Sequence, residues 1–372
     1  MPTTVKRRDI LGLPLLQVLP QERLPAVYRW SGSARAIGKQ HGAALAREIR
    51  AELDPSLQQA AKESGQSPVA CARQVWRKYR GLFAEHTPSA VEEIEGIAEG
   101  AGLPLEVAFY GATRDLLQLP QQSEGCTAVV CGNRRSTSGL PLIGQTKDTS
   151  SPLDRYKLML LSYDSGLRAI SLGYPGWIGN ISLNNHGLAW TGNSLYAPAP
   201  TGLLQPGSLL KRIFLESKTV EEALRRTRGM RFGNSCFCLA DRTGRAVCIE
   251  WVEGTRDLIE IGDGIYGHAN DILGGSRAKN QSASLSPSST QRQIRINQLL
   301  AQAPEKVSSD DVERWFRDHQ HSPHSVCRHP QLAEKESTTA AFIANLATLE
   351  FRVVVGPPCK QPFRTFSMEA IA

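Results

Sequence analysis

One stretch of the chain combines residue types that can do chemistry: Gly125-Cys126-Thr127, within Ser123-Glu124-Gly125-Cys126-Thr127-Ala128-Val129-Val130. Gly125 has no Cβ, so the peptide bond can bend and the thiol of Cys126 can approach the carbonyl before it. An N-to-S acyl shift there, followed by hydrolysis of the thioester, would free the α-amine of Cys126. One residue would then carry both nucleophile and general base. The plainer alternative is a buried structural cysteine on a core strand, where free cysteines commonly lie. The tripeptide by itself leaves both open.

The eight cysteines, at 71, 126, 131, 236, 238, 248, 327 and 359, are irregularly spaced and suggest no disulfide framework, so a reducing compartment is expected. Cys236-Phe237-Cys238 has a single intervening residue, and Cys327-Arg328-His329 stands alone. Neither has the paired spacing of a zinc site, so no metal and no cofactor is expected.

The elements that must position Cys126 change character at that residue. Before it the pattern is helical: a strand near 27–32, then helical spacing over Ile37, His41, Ala44, Leu45, Ile49 and Leu53, and further helices over 67–84, 88–100 and 105–117, the last carrying Asp115. After it strands dominate, at 126–131, 141–146, 157–164, 167–173, 178–184, 187–193, 235–241, 246–252 and 256–261. Helices at 206–216 and 219–228 interrupt them, two more follow at 289–302 and 309–318, and a hairpin of 338–346 and 350–355 closes the chain. Residues 1–125 thus read as a mostly helical segment and 126–372 as a β-rich one, the two forming one domain with helices covering both sheet faces. Ser282 to Ser289 reads as a surface loop.

At 372 residues, with 41% hydrophobic and 21% charged residues, the chain has the composition of a globular protein with a sizeable core. The net charge of +7 is spread out, and its small clusters at Lys6-Arg7-Arg8 and Arg225-Arg226 lack interleaved aromatics, so no nucleic-acid partner is expected. No apolar run reaches 18 residues, so no membrane partner is expected either. The paired arginines before a short apolar run have the form of a twin-arginine signal, but Pro14 and Gln17 interrupt the run and no cleavage site follows. The expected location is cytoplasmic, with export as the alternative.

Six separated stretches, in order, carry a resemblance. They are Ile37-Gly38-Lys39-Gln40-His41-Gly42, Glu124-Gly125-Cys126-Thr127, Gly179-Asn180 through Leu188-Ala189, Gly267-His268-Ala269-Asn270, Ser322-Pro323-His324-Ser325-Val326-Cys327-Arg328 and Gly356-Pro357-Pro358. Together they resemble the penicillin acyltransferase and carcinine hydrolase family of cysteine N-terminal-nucleophile (Ntn) hydrolases, over roughly residues 27–366.

The resemblance implies an α+β fold of four αββα layers, self-cleavage between Gly125 and Cys126, and action on a linear amide of a small acylated substrate. Cys126 matches the nucleophile. Asp148 matches a carboxylate that would orient the free amine, and Asn270 an asparagine whose N–H can donate to the tetrahedral oxyanion. Asn193 could reach the same cleft, or be a plain turn residue. Departures fall in the acyl pocket: Thr146-Lys147 replaces an Asn-Trp pair, and Lys335 stands nearest to a family arginine, keeping the charge without the fork. His268 resembles a family histidine and reads as structural; Arg292, Arg295, Asp318 and His319 read as structural polar groups. Hydrolysis is the expected outcome, with transfer from an acyl-CoA or amide to an amine such as 6-aminopenicillanic acid as the alternative. A non-catalytic binding protein on the same fold is the reading of another class.

Overall fold

The computed structural model describes residues 25–113, 125–150, 152–197, 202–275, 286–331 and 336–371. Lys6-Arg7-Arg8, Asp115, Ser123, Glu124 and Lys335 lie outside them.

The N-terminal segment opens with strand β1 (Ala26–Gly32) and continues with helices α1 (Ala34–Ala44), α2 (Ala46–Ser64), α3 (Pro68–His86), α4 (Pro88–Ala101) and α5 (Leu105–Ala112). The periodicity that reads as one helix from Ile37 to Leu53 is divided at Leu45, which caps both α1 and α2 with φ −122° and ψ 21°. Each piece keeps its own buried stripe, Ile37 and His41 in the first and Ile49, Leu53 and Leu57 in the second. The break frees α1 to lie along α4 at very short range. Gly38 and Gly42 on α1 face Gly96 and Gly100 on α4, and a Cβ on any of the four would come within 2.0–2.4 Å of a backbone oxygen of the partner helix. The first family stretch is therefore a packing motif. Its His41 is buried, accepts the Gly176 N–H on Nε2 at 2.9 Å and stacks on Trp30.

The remaining strands are β2 (Gly125–Cys131), β3 (Leu142–Thr149), β4 (Lys157–Tyr163), β5 (Arg168–Gly173), β6 (Ile181–Asn184), β7 (Ala189–Trp190), β8 (Asn193–Ser194), β9 (Ser235–Ala240), β10 (Ala246–Val252), β11 (Thr255–Glu260), β12 (Ile265–His268), β13 (Ser337–Asn345), β14 (Glu350–Val355) and β15 (Arg364–Ser367). Helices α6 (Gly207–Glu216), α7 (Val220–Arg226), α8 (Pro287–Ala301) and α9 (Ser309–Phe316) are inserted between them. Among the described residues the strands form two sheets, one ordered β1-β4-β5-β6-β7-β9-β10-β11 with β8 also on β9, the other ordered β12-β2-β3-β13-β14-β15.

Strand alternation sorts the core into layers. Met159 and Leu161 of β4 face α1 to α7, whereas Leu158 and Leu160 face the second sheet. Ala128 and Val130 of β2 meet them between the sheets, while Val129 and Cys131 pack under α8 and α9. The result is the four-layer αββα arrangement that the resemblance implies. Strand β1 pairs parallel with β4 from the other side of Cys126, and the outer core mixes residues from both segments.

Strands β12 and β15 have four residues each, too short to leave a pattern in the sequence, yet β12 borders the site. Among the described residues, no helix is long and apolar enough to cross a membrane.

Candidate active site

Cys126 is the second residue of β2, and its side chain points between the sheets with those of Ala128 and Val130. Strand β3 runs antiparallel beside it, pairing Gly125 with Asp148 and Cys126 with Lys147. The alternation gives Gln145 and Lys147 the face of Cys126 and turns Thr146 and Asp148 towards α8. Cys126 itself is buried, at 1% exposure.

Arg292 reaches this end of the sheet from α8. Its Nη1 donates to the carbonyl oxygen of Cys126 and, at 3.2 Å, to Thr127 Oγ1. Its Nη2 donates to Asn270 Oδ1 at 2.7 Å, and its Nε lies 3.7 Å from Asp148 Oδ2. Arg292 and Asp148 are both fully buried. The same Asn270 Oδ1 accepts the backbone N–H of Cys126 at 3.1 Å. One guanidinium thus bridges the backbone of Cys126, Asn270 and Asp148.

Because a guanidinium has only donors, the Asn270 atom facing it must be the oxygen. The Asn270 Nδ2 turns the other way and donates to Ser194 O at 2.8 Å. In the intact chain Asn270 therefore meets Cys126 through its carbonyl oxygen, while its Nδ2 engages Ser194. The reason is the buried cation, which attracts the negative end of the amide.

Asp148 Oδ1 accepts from Thr338 Oγ1 at 2.7 Å, whereas Oδ2 accepts no hydrogen bond among the described residues. Burial pushes the carboxyl pKa up, opposed by the positive charges of Arg292 and Arg328 and by the Thr338 hydrogen bond. Gly125 packs on this carboxylate: a Cβ there would lie 2.9 Å from Asp148 Oδ2 and 3.2 Å from Arg292 Nη2. Its φ is not positive, so glycine is required here for room and not for an unusual backbone angle.

Asn193 closes a neighbouring wall. Its Nδ2 donates to His268 O at 2.9 Å and Ala269 O at 2.7 Å, and its Oδ1 accepts from Gln145 Nε2 at 2.8 Å. Gln145 also exchanges bonds with both backbone groups of Gly192, which is why the stretch 187–193 does not run as one strand. His268 lies behind this wall, its Nε2 2.7 Å from Glu250 Oε1 and its Nδ1 2.9 Å from Ala269 O. With both ring nitrogens engaged, His268 serves the scaffold. Burial alone would depress its pKa, but the Glu250 carboxylate, with Cys238 and the Ala269 carbonyl, raises it.

The structure brings Cys126, Asp148 and Asn270 together and sets Lys147 opposite Cys126. The residue the sequence reading passed over is Arg292. Its signal was present: Ser289, Arg292, Gln293 and Ile296 share one face of α8, and Ile296 is core. An arginine on a buried face requires a partner. The neighbours on that face hold the same segment, Ser289 Oγ accepting from Asn270 N at 3.0 Å and Gln293 Oε1 from Ala269 N at 2.7 Å.

The sequence model of the family described as Acyl-coenzyme A:6-aminopenicillanic acid acyl-transferase matches residues 134–360, well over half of the chain. The chain belongs to this family. In this acyl-transferase family member, Asp148, Asn193, Asn270 and Arg292 lie within the matched span, and Cys126 lies just ahead of it. The family takes its description from acyl transfer. Solved structures similar to it include a mutant conjugated bile acid hydrolase from Clostridium perfringens, 9% identical over 65% of this chain and 96% of that one, with a TM-score of 0.42. A further variant of that hydrolase is 11% identical over 65% and 97% of the two chains, again with a TM-score of 0.42. Penicillin V acylase from Agrobacterium tumefaciens is 14% identical over 63% and 76%, with a TM-score of 0.37. No curated protein sequence matches the chain.

Proposed function

We propose that this protein is a self-processing amidohydrolase that cleaves a linear amide of a small acylated substrate through a thioester on Cys126. The observation that carries the reading is the single guanidinium of Arg292 joined to the Cys126 carbonyl, Asn270 and Asp148 at the start of a buried strand.

In processing, the Cys126 thiol attacks the Gly125 carbonyl, the C–N bond breaks, and the acyl group passes to sulfur. Water then releases the Gly125 carboxylate and leaves Cys126 with a free amine. In turnover that amine accepts the thiol proton, sulfur attacks the substrate carbonyl, and the leaving amine departs with a proton. Water hydrolyses the thioester and regenerates the thiol. The amine needs little adjustment, since its unperturbed pKa is about 7.7–8.0. The Arg292 charge beside it favours the neutral, basic form. Asn270 Oδ1, already on the Cys126 nitrogen, would hold the amine, with Asp148 Oδ2 as a second acceptor. The Nδ2 amide group of Asn270 is the donor assigned to the oxyanion, worth roughly 3 kcal/mol in the transition state.

The family description favours a second reading, transfer of an acyl group from acyl-CoA to the 6-aminopenicillanic acid amine. Against it, Lys147 lies opposite Cys126 where the resemblance leads one to expect an aromatic residue, a different acyl pocket. The test is a screen of the processed protein with N-acyl amines, N-acyl amino acids, and acyl-CoA plus 6-aminopenicillanic acid. Hydrolysis of an N-acyl compound as the dominant activity is expected; efficient transfer to the β-lactam nucleus with little hydrolysis would overturn the preference.

A further inference from the structure

The sequence spacing excluded zinc because Cys327-Arg328-His329 stands alone. The fold supplies what the spacing lacked. His319, just past the end of α9, and Cys359, in the turn after β14, converge on Cys327 and His329 ahead of β13. The four ligand atoms all lie within 4.8 Å of one another. His329 Nε2 is 3.1 Å from His319 Nε2, 3.2 Å from Cys359 Sγ and 3.9 Å from Cys327 Sγ.

We propose that His319, Cys327, His329 and Cys359 form a tetrahedral Zn²⁺ site that staples these three loops together. Ligands at Zn–S of about 2.3 Å and Zn–N of about 2.0–2.1 Å at tetrahedral angles stand roughly 3.3–3.8 Å apart, close to the spacings here. Two thiolates and two neutral imidazoles balance the charge of the cation, and a soft-to-borderline donor set of this geometry selects zinc over calcium or magnesium. Four protein ligands close the coordination sphere, which makes the ion structural.

Neighbouring bonds already hold the loops in position. Cys327 N donates to Asp318 O at 2.9 Å, and Arg317 Nε donates to Pro358 O at 3.0 Å. Cys327 is buried, whereas His319 and Cys359 are exposed, so the ion can enter from solvent. The site also touches the framework of the catalytic end. Arg328, between two ligands, donates its N–H to Thr338 Oγ1 at 2.8 Å, and that hydroxyl donates to Asp148 Oδ1 at 2.7 Å. The metal assignment stands on its own ligands, whether or not Cys126 is the nucleophile.

The experiment is metal analysis of the full chain purified under reducing conditions, with Co²⁺ titration of the zinc-stripped protein. About one zinc per chain is expected, with the visible bands of tetrahedral cobalt and thiolate-to-cobalt charge transfer on substitution. Cys359→Ser, in an exposed turn, should lose both, while Cys126→Ala should keep both. Folded wild-type protein that binds neither metal overturns the proposal without recourse to any variant. So does a cobalt spectrum that survives in Cys359→Ser, or a Cys327–Cys359 disulfide in the freshly purified chain.

Discussion

Asn270 Oδ1 accepts the backbone N–H of Cys126 at 3.1 Å, across 144 residues of sequence. The contact fixes the nitrogen that processing would turn into an amine before any bond is broken. On the proposed function the asparagine has two halves with separable roles, an oxygen for the amine and an NH₂ group for the oxyanion.

Asn270→Ala removes both halves and should lower kcat by roughly 100-fold or more. Asn270→Asp keeps an acceptor for Cys126 and Arg292 but no donor, so it should lose nearly as much turnover while leaving KM close to wild type. Steady-state kinetics on a good substrate decide the matter. An Asn270→Asp enzyme with wild-type kcat would remove the oxyanion role and leave only the positioning one.

Arg292→Gln removes the positive charge that shares Asn270 Oδ1 with the Cys126 nitrogen. The amine pKa should then rise, because the protonated form no longer meets a like charge, and the acid limb of kcat/KM should move to higher pH. Arg292→Lys keeps the charge without the fork and should shift the limb less, while still losing at least about tenfold in rate. Circular dichroism checks that both variants fold, since each leaves Asp148 differently compensated. An acid limb that stays in place in folded Arg292→Gln would mean the guanidinium does not act on the amine.

Gly125→Ala should block or greatly slow processing, because the new Cβ would meet Asp148 Oδ2 at 2.9 Å and Asp148 Cβ at 3.1 Å. The time course of chain cleavage, followed on a denaturing gel, measures it. Cleavage at the wild-type rate would show that this crowding is relieved without consequence.

His41 contributes an acid sensitivity to the helical layer. Burial lowers its pKa from 6.5 to about 3. Between those values the unfolded chain binds the extra proton, so the stabilisation is complete above pH 6.5 and is lost as pH falls towards 3. The slope approaches about 1.4 kcal/mol per pH unit for a single such group. His41→Gln should flatten the loss of stability between pH 6.5 and 4 in urea unfolding. Parallel curves for variant and wild type would contradict it.

What the sequence made legible was local. The β-branched run after Cys126, the proline and serine caps of α3, and the apolar strands of the closing hairpin all declare themselves within a few residues. Asp148 and Asn270 came into view through resemblance, because strand-end Asp and loop Asn look alike without a fold around them. Arg292 stayed hidden because its partners lie on β2, β3 and the segment after β12, 22 to 166 residues away. The His319, Cys327, His329 and Cys359 cluster was invisible for the same reason, as no spacing rule covers ligands that meet only when α9, β13 and β14 have packed.

The central claim is that Cys126 becomes an N-terminal nucleophile, and intact mass under denaturing conditions tests it most directly. The account predicts that the 40.7 kDa chain separates into residues 1–125 and 126–372, whose masses sum to the precursor plus one water. The second fragment should begin with an unblocked cysteine, and Cys126→Ala should remain a single chain. A wild-type protein that stays whole while active, or a Cys126→Ala protein that still splits before residue 126, would contradict it.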